Sequence, residues 1–342
     1  SYPTGLRNTA LGEIAGDSMA SGSMYNVSVG YAALTNNTTG DSNTAIGTMS
    51  LNSATGNASD NTGIGFEAGR GITTGSSNTA IGSQSLRNFS SNLTGSSNIG
   101  VGRASLYTNT SGSSNIAVGN SALYFNTTAS NNTAVGYQAG YSNTTGSGNN
   151  FFGNQAGYGI TTGSGNSAFG NEALKGASGN YNAAFGGAAL QVNTGTNNAA
   201  FGVGAAALNT SGGSNTAIGR QALAANTTAS NNLSVGKLAL YANTTGSENT
   251  AVGVTALDAN TTGDDNVGMG YGALGANTTG NKNVAIGNNT LDALTSGDHN
   301  VAIGYGAGTD LTEGGTNVLV GHNAGANITT ASASIFIGTP SK

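Results

Sequence analysis

Apolar residues in this chain follow neither a helical stripe nor a long run. They return instead in a short motif, Asn-x-small-apolar-Gly, at a nearly constant distance. Twenty copies begin at positions 8, 26, 43, 61, 78, 98, 115, 132, 149, 166, 182, 198, 215, 232, 249, 266, 283, 300, 317 and 334, seventeen residues apart with slips to 16, 18 and once 20. Nineteen of those first positions are Asn, the last is Ser334, and the fifth residue of every copy is Gly. With the Asn as position 0, the unit reads N-T-A-I-G-Y-Q-A-L-Y-x-N-T-T-G-S-x, as in 132–148.

Position +3 is large and apolar throughout, from Leu11 and Val29 to Phe201 and Ile337, while +2 is small except at Phe151, Leu319 and Phe336. Position +7 is Ala, Ser or Thr, and +8 is mostly Leu, with Gly at 69, 140, 157, 308 and 325. The pattern predicts two short strand-like pieces per unit, near 0 to +4 and +5 to +9, joined by Gly-bearing bends and followed by an N-T-T-G turn. So much Gly, Asn and Thr disfavours a helix. A unit of fixed length that repeats along the whole chain predicts an all-β, parallel β-solenoid of about twenty 17-residue coils, with 1–342 as one continuous repeat domain.

In such a stack each strand pairs with the same strand of the next coil, and equivalent residues lie ~4.8 Å apart. The Asn column, which includes Asn43, Asn78, Asn115, Asn132, Asn215 and Asn249, becomes a ladder of amides hydrogen-bonded along the axis. The Gly column, which includes Gly47, Gly82, Gly119, Gly136, Gly219 and Gly253, marks a positive-φ bend or a close backbone approach, either of which excludes a Cβ. Both columns read as scaffold.

Neighbouring residues of a strand face opposite sides, so +2 and +3 cannot share one interior, and the same reasoning applies to +7 and +8. Strands apolar on both faces are covered on both faces. Two large apolar side chains per coil are also few against the entropy of ordering seventeen residues. The preferred expectation is therefore a parallel homotrimer around a common axis; a single-chain solenoid with a narrow Ala-rich core is the alternative.

Composition removes several classes of function. Gly supplies 58 of 342 residues without a three-residue period, which excludes collagen. Only 7% of residues are charged, and the net charge of -5 is spread thinly, so there is no basic stripe for nucleic acid. No apolar run approaches the ~18 residues of a membrane span, so no membrane insertion is expected. The first residues are not a signal segment, and the absence of an initial Met suggests a processed chain or a part of a longer one. The lack of Cys decides nothing about compartment.

Chemistry is equally sparse. The two His, His299 and His322, occupy different repeat positions, and with no Cys and scattered carboxylates no metal-ligand spacing or nucleophile triad assembles. The expectation is a non-enzymatic protein without cofactors. Glu248, Asp265, Lys282 and His299 share +16, with Asp264, Asn281 and Asp298 at +15. These read as a solvated charged turn with Lys282 as internal counter-ion, the alternative being a calcium cluster. Tyr107, Tyr124, Tyr141 and Tyr158 hold +9 in four consecutive coils, and Tyr241 holds it again. They predict an exposed stacked stripe, either stabilising the sheet through neighbour pairs or offering a surface to sugar rings. The interrupted set Tyr31, Phe66, Tyr137, Tyr271 and Tyr305 at +5 reads as packing. The N-T-T-G segments at 143–146, 243–246, 260–263 and 277–280 are turn formers that also spell glycosylation acceptors. Their Thr ranks raise an ice- or surface-binding alternative, against which adjacent extended Thr residues face opposite sides.

The unit N-T-A-[IV]-G-x-x-A-L-x-x-N-T-T-G-S-x, seen at 43–51, 132–148 and 215–223, resembles the repeats of phage tail-fibre and bacterial surface-adhesin shafts. It is also similar to the left-handed parallel β-roll in the head of trimeric autotransporter adhesins, with its Ala-x-Gly-x-x-Ala core, although that repeat is shorter than this one. The likeness covers almost the whole chain. It implies an extracellular fibre or adhesin shaft, on a virion or a cell surface, that attaches through weak multivalent contact with cell-surface glycans. A self-assembling extracellular filament, its coil ends stacking between subunits, is the alternative. Phage shafts of this kind often end in an endosialidase-type chaperone domain. The chain departs from that pattern, so assembly elements are expected outside it.

Overall fold

The computed structural model describes residues 7–20, 22–88, 92–176 and 179–338. Among them lie twenty strands of three residues, one per copy of the motif. Two compact units, Ser1–Ala168 and Phe169–Lys342, divide the chain. The first carries β1 (Thr9–Leu11) to β9 (Asn150–Phe152), and the second carries β11 (Ala183–Phe185) to β20 (Ile335–Ile337); β10 (Ser167–Phe169) spans the dividing residue. Within each unit successive strands pair in parallel and in register, as Thr9 with Val27 and Ala199 with Thr216. The fold is the all-β parallel solenoid that the period predicts.

Each strand alternates as expected. Position +2 points inward, with Ala45, Ala117, Ala134, Ala217 and Ala251 fully buried, whereas +3 points outward. Opposite the small +2 residues stands the +8 column, including Leu86, Leu123, Leu190, Leu223 and Leu257, all fully buried. A single chain therefore closes its own narrow core.

The second half of the coil corrects the sequence expectation. Positions +5 to +9 are consecutive turns, and +7 and +8 are buried together, as Ala222 and Leu223 are. Side-chain alternation fails there because +6 and +8 take left-handed backbone, with φ of 55° at both Gln221 and Leu223. Non-Gly residues are uncommon in that region, and the neighbouring coils hold them there. Gln221 N–H donates to the previous coil at Val203 O (2.9 Å), and Leu223 N–H donates to the next coil at Ala239 O (2.9 Å).

The Gly column satisfies both reasons given for it. Gly47 has φ of 127° and Gly219 has φ of 135°, and a Cβ at either would lie 2.5 Å from the carbonyl oxygen of the next Gly in the column. Interior volume is balanced between columns. Fully buried Phe151 replaces a small +2 residue and lies between Gly140 and Gly157, two coils that have lost their +8 Leu; Leu319 lies likewise between Gly308 and Gly325. Exchanging volume between facing positions keeps the core close-packed.

Candidate functional site

Stacked coils turn every repeat position into a column, so a site here is a stretch of column. The buried columns are structural. In the Asn column each backbone N–H donates to the side-chain oxygen of the preceding Asn: Asn43 to Asn26 Oδ1 (2.9 Å), Asn78 to Asn61 (3.0 Å), Asn115 to Asn98 (3.0 Å), Asn132 to Asn115 (3.0 Å), Asn215 to Asn198 (3.0 Å) and Asn249 to Asn232 (2.9 Å). The Nδ2 groups also reach turn carbonyls, most of them fourteen residues on, as Asn132 does to Gly146 O (2.9 Å), and seventeen on where the coil is longest, as Asn78 does to Gly95 O (3.0 Å). The ladder uses both ends of the amide and ends at Ser334, whose N–H still donates to Asn317 Oδ1.

A second amide ladder was not legible in the sequence. The Asn of the N-T-T-G segments, at +11, is fully buried and donates to its predecessor: Asn126 to Asn109 (3.0 Å), Asn143 to Asn126 (3.0 Å), Asn260 to Asn243 (2.8 Å) and Asn277 to Asn260 (3.0 Å). Burial removes Asn143, Asn243, Asn260 and Asn277 from the reach of a glycosylating enzyme. Where the next +11 residue is Ile160 or Leu294, the last acceptor, Asn143 Oδ1 or Asn277 Oδ1, is left without a hydrogen-bond partner. The Thr at +12 is likewise engaged: Thr144 Oγ1 donates to Thr161 O (3.0 Å) and Thr261 Oγ1 to Thr278 O (2.9 Å). Of the two N-T-T-G threonines, that leaves the exposed +13 rank, as Thr145 and Thr262, to an ice-binding face.

The acidic turns line an open cleft of about 380 Å3 bounded by Asp264, Asp265, Asn281, Lys282, Asp298 and His299. One side-chain oxygen of each +15 residue is already employed: Ser247 N–H donates to Asp264 (2.7 Å), Asp264 N–H to Asn281 (2.8 Å) and Asn281 N–H to Asp298 (2.6 Å). This continues the Ser ladder that occupies +15 in other coils, as where Ser113 N–H donates to Ser130 Oγ (3.0 Å). Among the described residues no group of three His, Cys, Asp or Glu side chains is placed to hold a metal ion.

The four tyrosines stack as expected. Ring centroids are 4.8 Å apart for Tyr107 and Tyr124, 5.2 Å for Tyr124 and Tyr141, and 5.1 Å for Tyr141 and Tyr158, with planes within 25° of parallel. Phe125 packs edge-on against Tyr124 and Tyr141. Arg87 Nη1 donates to the Tyr107 hydroxyl (2.9 Å), and Arg87 pairs with the buried carboxylate of Glu67 (2.7 Å). The stack differs from the exposed stripe expected of it: Tyr107 is buried, the other three are half-buried, and the faces of the inner rings cover each other. Burial, the largest cause, pushes the phenols of Tyr124 and Tyr141 above their ordinary pKa, with neighbouring phenols adding to it. This geometry suits neighbour-pair stabilisation and leaves no inner face for a sugar.

Two outward features remain open. The first is the strand face. Its +3 column is exposed at Ile46, Ile81, Phe201, Ile218, Met269, Ile286 and Ile303, and neither +1 nor +3 carries a charge in any copy. Phe185 stacks between Phe169 and Phe201 on this face, at 4.7 and 4.8 Å. The second is a cleft of about 200 Å3 in the second unit, lined by Gly204, Ala207, Leu208, Gln221, Ala224, Ala225 and Tyr241. The +5 aromatics Tyr31, Phe66, Tyr137, Tyr271 and Tyr305 are all exposed. This departs from the packing role read from the sequence, because +5 lies on the outer side of the Gly bend.

Fold and columns together define a parallel β-solenoid whose interior is entirely given to packing and amide ladders. Comparison of the chain with protein-family models, curated proteins and solved structures returns no match. No helix among the described residues is long and apolar enough to cross a membrane.

Proposed function

We propose that the chain is the shaft of an extracellular fibre, a virion tail fibre or a cell-surface adhesin, whose chains associate side by side as a parallel homotrimer. The uncharged, apolar strand face supports this reading above all. A row of outward Ile, Val, Phe and Met, exposed or half-buried in successive coils, is an unusual surface for a monomer, and such patches mark sites of association. A second copy has the same spacing between coils, so within each unit its side chains interdigitate with this face. The function is mechanical, with weak contacts to cell-surface glycans repeated along the fibre and combined through avidity.

The test is the solution mass of the chain across a range of concentrations. A constant mass of three chains supports the shaft. A single-chain mass overturns the trimer, and a mass that grows with concentration points to a filament instead. Ile218→Lys combined with Ile286→Lys, both exposed in the single chain, is expected to return a trimer to single chains without unfolding it.

A further inference from the structure

The +9 column differs between the two units over three consecutive coils of each. In the first unit it holds Tyr107, Tyr124 and Tyr141, with Phe125 packed against the last two; in the second it holds Ala207, Ala224 and Tyr241, with Ala225 in place of the Phe. Three rings are missing, and the space they leave is the cleft bounded by Leu208, Gln221 and the exposed ring of Tyr241. The first unit shows what fits such a slot: flat rings, one per coil, 4.8 to 5.2 Å apart. At about 200 Å3 the cleft suits a ring-sized group, below the ~300 Å3 at which drug-sized pockets begin.

The surroundings indicate the chemistry of the ring. Gln221 brings an amide, both donor and acceptor, to the edge of the cleft. Arg220 and Lys237 occupy +5 in consecutive coils; both are exposed, and neither has an ion-pair partner among the described residues. Arg103 stands to Tyr124 in the repeat as Arg220 stands to Tyr241, and its charge is close enough to that phenol to oppose the rise in its pKa. Arg220 thus holds, relative to Tyr241, the repeat position from which Arg103 acts on Tyr124.

We infer that the cleft at Tyr241 binds a pyranose ring bearing a carboxylate, such as a uronic acid residue of a surface polysaccharide. The apolar CH face of the sugar lies on Tyr241 in the slot above it, a ring hydroxyl meets the Gln221 amide, and the carboxylate faces Arg220. This inference rests on the glycan-contact part of the proposed function and is independent of how many chains associate. It uses positions +5 to +10, outside the strand face of +1 to +3.

Saturation-transfer NMR on the whole chain, with methyl β-D-glucuronide and methyl β-D-glucoside as probes, tests it. The glucuronide is expected to receive saturation from aromatic protons and to bind at least about fivefold more tightly than the glucoside at low salt, the difference shrinking at high salt. Tyr241→Ala abolishes the transfer. Ala207→Tyr with Ala224→Tyr also abolishes it while leaving the fold intact, because it restores the ring column of the first unit. Equal binding of both sugars, binding that survives Ala207→Tyr with Ala224→Tyr, binding of p-cresol without either sugar, or no binding at all each overturns the assignment. The mass measurement stands or falls separately.

Discussion

In the first unit four consecutive coils hold Tyr at +9, and in the second a single Tyr241 stands there among Ala207, Ala224, Asp258 and Gly275. Yet the two units share the Asn ladder, the Gly column and the in-register strands without change. The contrast separates two kinds of position. The Asn column at 0 and the Gly column at +4 hold their residue type across both units, whereas +9, +5 and +16 differ from coil to coil. Chemistry specific to one part of the chain therefore belongs on +9, +5 and +16, and the ladders cannot supply it.

Breaking a shared column is expected to have the largest effect, and an equal one in both units. Gly136→Ala and Gly253→Ala force φ of 139° and 145° on a residue whose Cβ meets the next coil's carbonyl, costing about 3–5 kcal/mol each in urea unfolding. Asn132→Ala follows. It leaves the Asn149 N–H buried without its partner and takes from the Gly146 carbonyl one of its two amide donors, the other being Asn143 Nδ2, for about 2–4 kcal/mol by the same measurement.

Outward columns are expected to separate the units. Tyr124→Ala removes two stacked contacts and one edge contact and costs about 1–3 kcal/mol, whereas Tyr241→Ala stays within about 0.5 kcal/mol. Equal losses at the two positions would mean that the stack carries no stability of its own. The smallest effect concerns Asp292 in the second unit. Burial, aided by the charge of Asp310, raises its carboxyl above the ordinary range, and its Oδ1 has no hydrogen-bond partner. The folded form thus holds this proton more tightly than the unfolded chain. Its contribution grows as pH falls through the raised value toward the ordinary ~3.9 and fades as pH rises. Asp292→Asn is expected to raise the melting temperature slightly at neutral pH and to flatten its rise on acidification.

Much of the fold was legible because a stack repeats its information. An Asn at position 0 and a Gly at +4 in nearly every copy can only be columns, and the opposed faces of +2 and +3 follow from strand geometry alone. What escaped was what depends on the neighbouring coil. Nothing local announces that Leu223 and Gln221 take left-handed backbone, since the hydrogen bonds holding them come from residues about sixteen to eighteen positions away. Asn-Thr-Thr-Gly reads locally as a turn, and only stacking reveals that its Asn is buried in a second ladder. The tyrosine column was found by its spacing. That same spacing, close to the thickness of a ring, is what hides its inner faces, while the open ring at Tyr241 was marked by alanines that carry no chemistry of their own.

The bonds described for a coil within each unit run mainly to the coil on either side, at the same or neighbouring repeat positions. The slips from seventeen residues all fall in the turn segment after +9, so strand register survives them. A gene encoding such a protein can lose or gain a whole period by recombination between its own repeats, and every surviving column rejoins. The number of coils then becomes a heritable quantity that varies in steps of one, with no new packing problem to solve at each step.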